Sequence, residues 1–305
     1  MSDEIRTSGG GQLLEVRELV KSFGGIRAVD GLSFAIHEGQ TVSLIGPNGS
    51  GKTTVFNLLS GLLRPDDGEI IFGGEAITRS RPDTIAERGI ARTFQNGRVF
   101  GNMTVRENVL IGMHARLHAA RPFARWRHIP ILQWVPLLGE TILALVQPVS
   151  VRKELDAFNA EVDVQLGRFG QRLLPRHDQL AYSLSYANRR RTEIARALAL
   201  HPRLLLLDEP TAGMNQTETA EILDQLQALR AEGQTMLLIE HKLNLVMTLS
   251  DHVLVLDNGK LIAEGTPSQV QANERVVEAY LGRRGRQRAL DQESAIPRDG
   301  ATVDV

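Results

Sequence analysis

The sequence predicts an α/β fold organised around a parallel sheet, on three observations. Short apolar runs at 41–45, 204–207 and 236–239 read as buried strands, and the last two each follow a helical stretch. Strands alternating with helices pair in parallel through crossover connections. The first run ends at a glycine-rich loop, Gly46 to Thr53, that opens directly into a helical pattern. The second ends in two adjacent acids, Asp208 and Glu209, at the strand edge where open α/β sheets bind ligands.

In chain order, residues 13–20 alternate apolar and polar positions, the period of a half-buried strand near a sheet edge. Residues 41–45 suit a buried strand feeding a tight loop, and 53–62 carry helical spacing. Between 95 and 190 the pattern turns mostly helical, which predicts a helical subdomain at about 96–190 inserted into the α/β core. The runs 253–257 and 260–263 flank Asn258-Gly259 and read as a hairpin through a tight turn. One folded unit is expected over 12–282. The polar, glycine-rich start (1–11) and the charged tail (283–305) are expected to be disordered.

The 305 residues suffice for one large domain or two small ones, with ordinary shares of hydrophobic (42%) and charged (23%) residues. A net charge of -1 argues against nucleic acid as the main partner. The absence of cysteine excludes disulfides and thiolate metal sites and suits a reducing cytosol. No apolar stretch near Met1 resembles a signal peptide. The most apolar segment, 129–151, contains Glu140, Pro130, Pro136 and Pro148, so it is not expected to span a membrane, and the chain is expected to be soluble.

The loop Gly46-Pro47-Asn48-Gly49-Ser50-Gly51-Lys52-Thr53 fits G-x-x-x-x-G-K-[ST], with a strand before it and a helix after it. Its glycines let backbone N–H groups turn inward around phosphate oxygens, and the helix N-terminus adds its positive end. Lys52 is placed to reach the outer phosphates and the Thr53 hydroxyl to ligate Mg²⁺, with Thr54 beside it. Asp208 is placed to hold Mg²⁺ through water, and Glu209 to polarise an attacking water.

The remaining residues resemble the ATP-binding-cassette transporter family over about 13–282. Gln95, in Arg92-Thr-Phe-Gln95, is similar to the family's glutamine that senses Mg²⁺ and the γ-phosphate. Leu184-Ser185-Tyr186-Ala187-Asn188 stands in place of the LSGGQ signature, Ala212-Gly-Met-Asn215 in that of the D-loop, and His241 in that of the switch histidine. Phe23 stands where the family stacks an aromatic ring on adenine, although core packing is the ordinary reading of a lone phenylalanine. The resemblance implies the family's nucleotide-binding fold: an α/β core with an antiparallel β subdomain and the inserted helices. It also implies an ATPase needing ATP and Mg²⁺, with Glu209, His241 and Gln95 as catalytic residues and Thr53, Gln95 and Asp208 at the metal. Two such subunits, a homodimer or a heterodimer with a paralogue, would each set Ser185, Tyr186 and Ala187 against the other's nucleotide.

The implied partners are membrane permease subunits on the cytoplasmic face of the cell membrane and, indirectly, a periplasmic or extracellular solute-binding protein. The motif 92–95, the stretch Met103-Thr-Val-Arg-Glu-Asn108, the Leu-Ser-Tyr signature and the ending Glu278-Ala-Tyr-Leu-Gly282 resemble branched-chain amino acid importers. The ATPase of lipopolysaccharide export is similar in its C-terminal half. Soluble cassette ATPases acting on nucleic acid or ribosomes usually carry two cassettes or a long coiled coil, neither visible here. Two departures stand out. Ala187 and Asn188 replace the signature's glycine and glutamine, and a methyl group beside the partner's phosphate is expected to weaken ATP-driven closure. A basic stretch, 114–128, holding Arg116, Arg121, Arg125 and Arg127, precedes the apolar 129–151. That insertion is expected either near anionic headgroups or packed on its own domain.

Overall fold

The computed structural model describes residues 11–94, 99–113 and 149–280. The basic insertion and most of the apolar segment, as well as Gln95 and both chain ends, lie outside those residues. The chain opens with β1 (Gln12–Phe23) and β2 (Ile26–His37), then β3 (Thr41–Ile45) and α1 (Lys52–Leu59). After these come β4 (Asp67–Phe72), β5 (Glu75–Ala76), α2 (Pro82–Glu87) and β6 (Ile90–Arg92). A helical stretch comprises α3 (Val105–Gly112), α4 (Val149–Arg168), α5 (Gly170–Leu173) and α6 (Tyr186–Leu198). The chain then returns through β7 (Leu204–Asp208), α7 (Gln216–Ala231), β8 (Thr235–Ile239), α8 (Leu243–Leu249), β9 (His252–Asp257), β10 (Lys260–Gly265) and α9 (Pro267–Gln271).

Two sheets result, one four-stranded in the order β2-β1-β4-β5 and one six-stranded in the order β10-β9-β3-β8-β7-β6. Strand β1 pairs with β2 on one side and β4 on the other. It is therefore an inner strand, not the near-edge strand its alternation suggested, because alternation reports which face is buried and not which neighbours are bonded. In the larger sheet β6, β7, β8, β3 and β9 run parallel, and β10 is the antiparallel edge.

The apolar runs are continuous because this sheet is covered on both faces. Leu204 and Leu206 face a core shared with β1, β2 and α1, while Leu205 and Leu207 face a core shared with α3, α4 and α6. In β8, Leu237 and Ile239 face the first core, Met236 and Leu238 the second. Asn258 (φ 48°) and Gly259 (φ 81°) both adopt the left-handed region, the two-residue hairpin turn expected between β9 and β10. Helix α1 stops at Leu59, short of the sequence expectation, where Gly61 turns the chain at φ 71°. Among the described residues no helix is long and apolar enough to cross a membrane.

Candidate active site

Sheet register assembles the site. Leu44 of β3 and Asp208 of β7 both pair with Ile239 of β8. The loop after β3, the acids after β7 and His241 after β8 therefore emerge side by side at one carboxyl edge, with adjacent strands about 4.8 Å apart.

The loop from Gly46 to Thr53 needs glycine for close backbone approach. A β-carbon at Gly46 (φ 151°) would fall 2.1 Å from the Leu256 carbonyl oxygen, and one at Gly51 (φ 106°) would fall 2.3 Å from that of Ala28. Pro47 and Ser50 are buried, whereas Asn48, Gly49 and Thr53 are exposed and Thr54 is half-buried. Lys52 is buried, and its ammonium donates to the carbonyl oxygens of Gly46 and Pro47 at 2.8 and 2.9 Å. The cation thus folds back into the concavity of its own loop.

Asp208 is 2% exposed. Its Oδ2 accepts from Arg92 at 3.1 Å, and its Oδ1 is buried with no hydrogen-bond partner. Burial pushes its carboxyl above the usual carboxylate range, with Arg92 opposing that rise. A buried oxygen with an open lone pair, near a helix N-terminus that presents a threonine hydroxyl, fits a hydrated divalent cation. Arg92 was visible in the sequence only as part of a motif. Its guanidinium also donates to Asn57 Oδ1 (2.7 Å) of α1 and to Ser60 Oγ (2.9 Å) at the end of that helix, tying the helix after the phosphate loop to Asp208.

Glu209 follows with a left-handed backbone, φ 50°, uncommon for a residue with a side chain. Its Oε1 lies 2.8 Å from His241 Nε2. Glu240, which sequence reasoning passed over, is 3% exposed and organises the region. One oxygen accepts from the Thr211 N–H (3.1 Å) and hydroxyl (2.7 Å), the other from the His241 N–H (3.1 Å). An acid closing an otherwise apolar strand was the available signal.

Ser185 caps α6, its hydroxyl accepting from the Asn188 N–H at 3.4 Å, and both Ser185 and Tyr186 are exposed. The Tyr186 ring backs onto the D-loop, since a β-carbon at Gly213 would fall 3.1 Å from it. Ala187 departs from expectation. It is 3% exposed and belongs to the core cluster that also holds Val105, Val109 and Ile194. Beyond Ala187, every residue of α6 from Arg190 to Leu198 except Arg196 is buried, so the helix is enclosed on nearly all sides. The Ala187 methyl group therefore faces inward within its own subunit. Asn188 Oδ1 accepts from Arg191 at 2.9 Å, holding that side chain against its own helix. Phe23 is 46% exposed at the end of β1, with the Lys21 ammonium 5.6 Å from its ring centre, so it is not a core residue. The last described residue before Gln95, Phe94, donates its N–H to Glu193 at 2.6 Å.

Residues 29–212 match the family described as ABC transporter, and residues 260–285 match branched-chain amino acid ATP-binding cassette transporter. The high-affinity branched-chain amino acid transport ATP-binding protein BraF of Pseudomonas aeruginosa is 40% identical over 275 residues, covering 88% of this chain and 98% of that protein. The corresponding protein LivG of Escherichia coli is 37% identical over 271 residues, covering 88% of this chain and 98% of that protein. A crystal structure of a nucleotide-free ATP-binding cassette from an ABC transporter is similar with a TM-score of 0.71 at 32% identity, covering 88% of this chain and 99% of that one. The chain therefore belongs to the ABC transporter family, as one of its ATP-binding, ATP-hydrolysing subunits.

Proposed function

We propose that this subunit hydrolyses ATP at Glu209 and drives import of branched-chain amino acids. The observation that carries the catalytic part is the 2.8 Å contact of Glu209 with His241, set at one sheet edge with the phosphate loop and a buried, half-satisfied Asp208. In this reading Glu209 accepts the proton of the attacking water, and His241 holds the carboxylate in place. Lys52 leaves its loop carbonyls for the outer phosphates, and the loop N–H groups close on them. Thr53, Asp208 and Gln95 hold Mg²⁺, which when bound supplies charge neutralisation at the phosphate oxygens. Phe23 offers its exposed ring to the adenine.

Exposed Ser185 and Tyr186, at the N-terminus of α6, face the nucleotide of a second subunit, identical or paralogous. Permease subunits dock on a groove of about 530 Å³ between the α/β core and the helical stretch, lined by Leu62, Ile85, Phe94, Phe100, Ile111 and Leu200. Such a wall is apolar enough to seat a partner's helix. The subunit works at the cytoplasmic face of the cell membrane, and a solute-binding protein acts on the permease from the other side. The names of BraF and LivG support the cargo.

Steady-state phosphate release tests the catalytic reading. Glu209→Gln is expected to retain ATP binding and to lose about a hundredfold or more in turnover, since an amide cannot take up the proton; a parental rate would refute the assignment. Proteoliposomes with permease and binding protein test the cargo, with leucine, isoleucine or valine raising ATP turnover and an unrelated solute leaving it unchanged.

A further inference from the structure

Arg190 sits just past the first turn of α6, and its side chain is wholly shielded from solvent. Its Nη2 donates to two consecutive carbonyl oxygens, those of Asp208 and Glu209, the latter at 2.7 Å. Its Nη1 donates to the Phe94 carbonyl oxygen and, at 2.9 Å, to Glu193. Glu193, equally shielded, uses its other oxygen to accept the Phe94 N–H. One ion pair thus joins the signature helix, both backbone polar groups of the residue before Gln95, and the turn that carries both site acids.

Two features go beyond loop packing. The turn it grips is the left-handed one at Glu209, a conformation that persists only where the surroundings enforce it. A fully buried ion pair is also a poor source of stability, because apolar residues of similar volume usually pack as well. Its worth here lies in directed bonds to backbone groups that no strand partner reaches.

We propose that Arg190 and Glu193 are positioning residues for hydrolysis: they hold the turn that aims Glu209 at His241, and they make that turn follow the start of α6. Displacement of the signature helix by a second subunit or a permease then reaches the base through a single guanidinium. The inference rests on Glu209 acting as the base, as proposed above.

The test uses the purified full-length chain with MgATP, measuring ATP affinity by titration and phosphate release in a single turnover. Arg190→Lys keeps the charge facing Glu193 but cannot span all four acceptors. It is expected to slow phosphate release about tenfold or more, as small misplacements of reacting groups do, with ATP affinity held within about twofold. In a Glu209→Gln background the same change is expected to add almost nothing, because a lost base has no position to lose. Slowing by the same factor in both backgrounds would mean a merely structural role and overturn the proposal, as would a parental rate in Arg190→Lys. Should Arg190→Lys fail to fold, the uncharged double variant Arg190→Met/Glu193→Leu removes both charges together. It is expected to fold, bind ATP and show the same slow turnover, and parental turnover would overturn the proposal. If Glu209→Gln itself keeps the parental rate, the base assignment fails instead.

Discussion

Replacing Ala187 by glycine separates two accounts of the altered signature. If the alanine methyl crowded a nucleotide across the subunit interface, its removal would speed hydrolysis several-fold. The structure places that methyl in the core cluster that also holds Val105, Val109 and Ile194, at 3% exposure. Removing it loses about 0.8 kcal/mol of buried apolar surface. The helix gives up at most about 1 kcal/mol more, and less than that in its first turn. The sum, about 1–2 kcal/mol, is tolerable against a typical folding free energy of about 5–15 kcal/mol. At about 2–4 °C per kcal/mol for a large domain, melting should fall by about 2–8 °C. Thermal melting and steady-state phosphate release on the same preparation decide the matter. The expected outcome is a lower melting temperature with no gain in turnover. Unchanged melting together with a several-fold rise in hydrolysis would refute the inward placement.

Three further perturbations address separate parts of the site. Lys52→Ala removes a cation already held by two loop carbonyls; losing its charged bonds to phosphate is expected to weaken ATP binding about tenfold to a hundredfold in a direct titration. Phe23→Ala, at an exposed position, is expected to weaken ATP about tenfold through lost stacking, and a thermal melt without nucleotide should stay unchanged. Arg92→Met strips Asp208 of its counter-charge and is expected to lower stability without Mg²⁺ by about 3 kcal/mol at neutral pH. The sign with pH follows from the raised Asp208 carboxyl. The folded state keeps its proton longer than the unfolded state, so stability is greatest below the ordinary carboxylate range and falls as pH rises through the raised value. Melts of Arg92→Met at pH 5 and pH 8 should differ more than those of the parent, and equal differences would contradict this account.

What the sequence made legible follows from the range of the contacts involved. The phosphate loop is contiguous, and its glycines answer to backbone clashes within the fold's most local unit, strand-loop-helix. The acids after β7 and the histidine after β8 were legible because each ends a short apolar run. Arg92 and Arg190 were not, because partners of each stand far off in sequence: Arg92 meets Asp208 116 residues away, and Arg190 meets Phe94 96 residues away; Glu240 was passed over although it closes an apolar strand beside His241. The burial of Ala187 within its own subunit was missed for the opposite reason. Motif position suggested the interface, although the spacing Ala187, Ile194, Ala195 and Leu198 already marked an apolar face of a helix.

The residues that escaped notice share one physical task. At the carboxyl edge the strands stop pairing, and the polar groups of the turns beyond them lose their ladder partners. Buried charged side chains bind these turns, Arg190 and Glu240 through backbone groups and Arg92 through the Asp208 side chain. Arg92 bonds α1 to Asp208, Arg190 closes on the carbonyls of Asp208 and Glu209, and Glu240 gathers the N–H groups of Thr211 and His241. None of these three needs to touch the nucleotide, yet the 2.8 Å approach of Glu209 to His241 depends on the turns they fix. Catalysis by positioning loses much of its rate when a reacting group shifts by about an ångström. It follows that changes at Arg92, Arg190 or Glu240 should appear in turnover before they appear in nucleotide affinity, whereas changes at Lys52 or Phe23 should appear in affinity first.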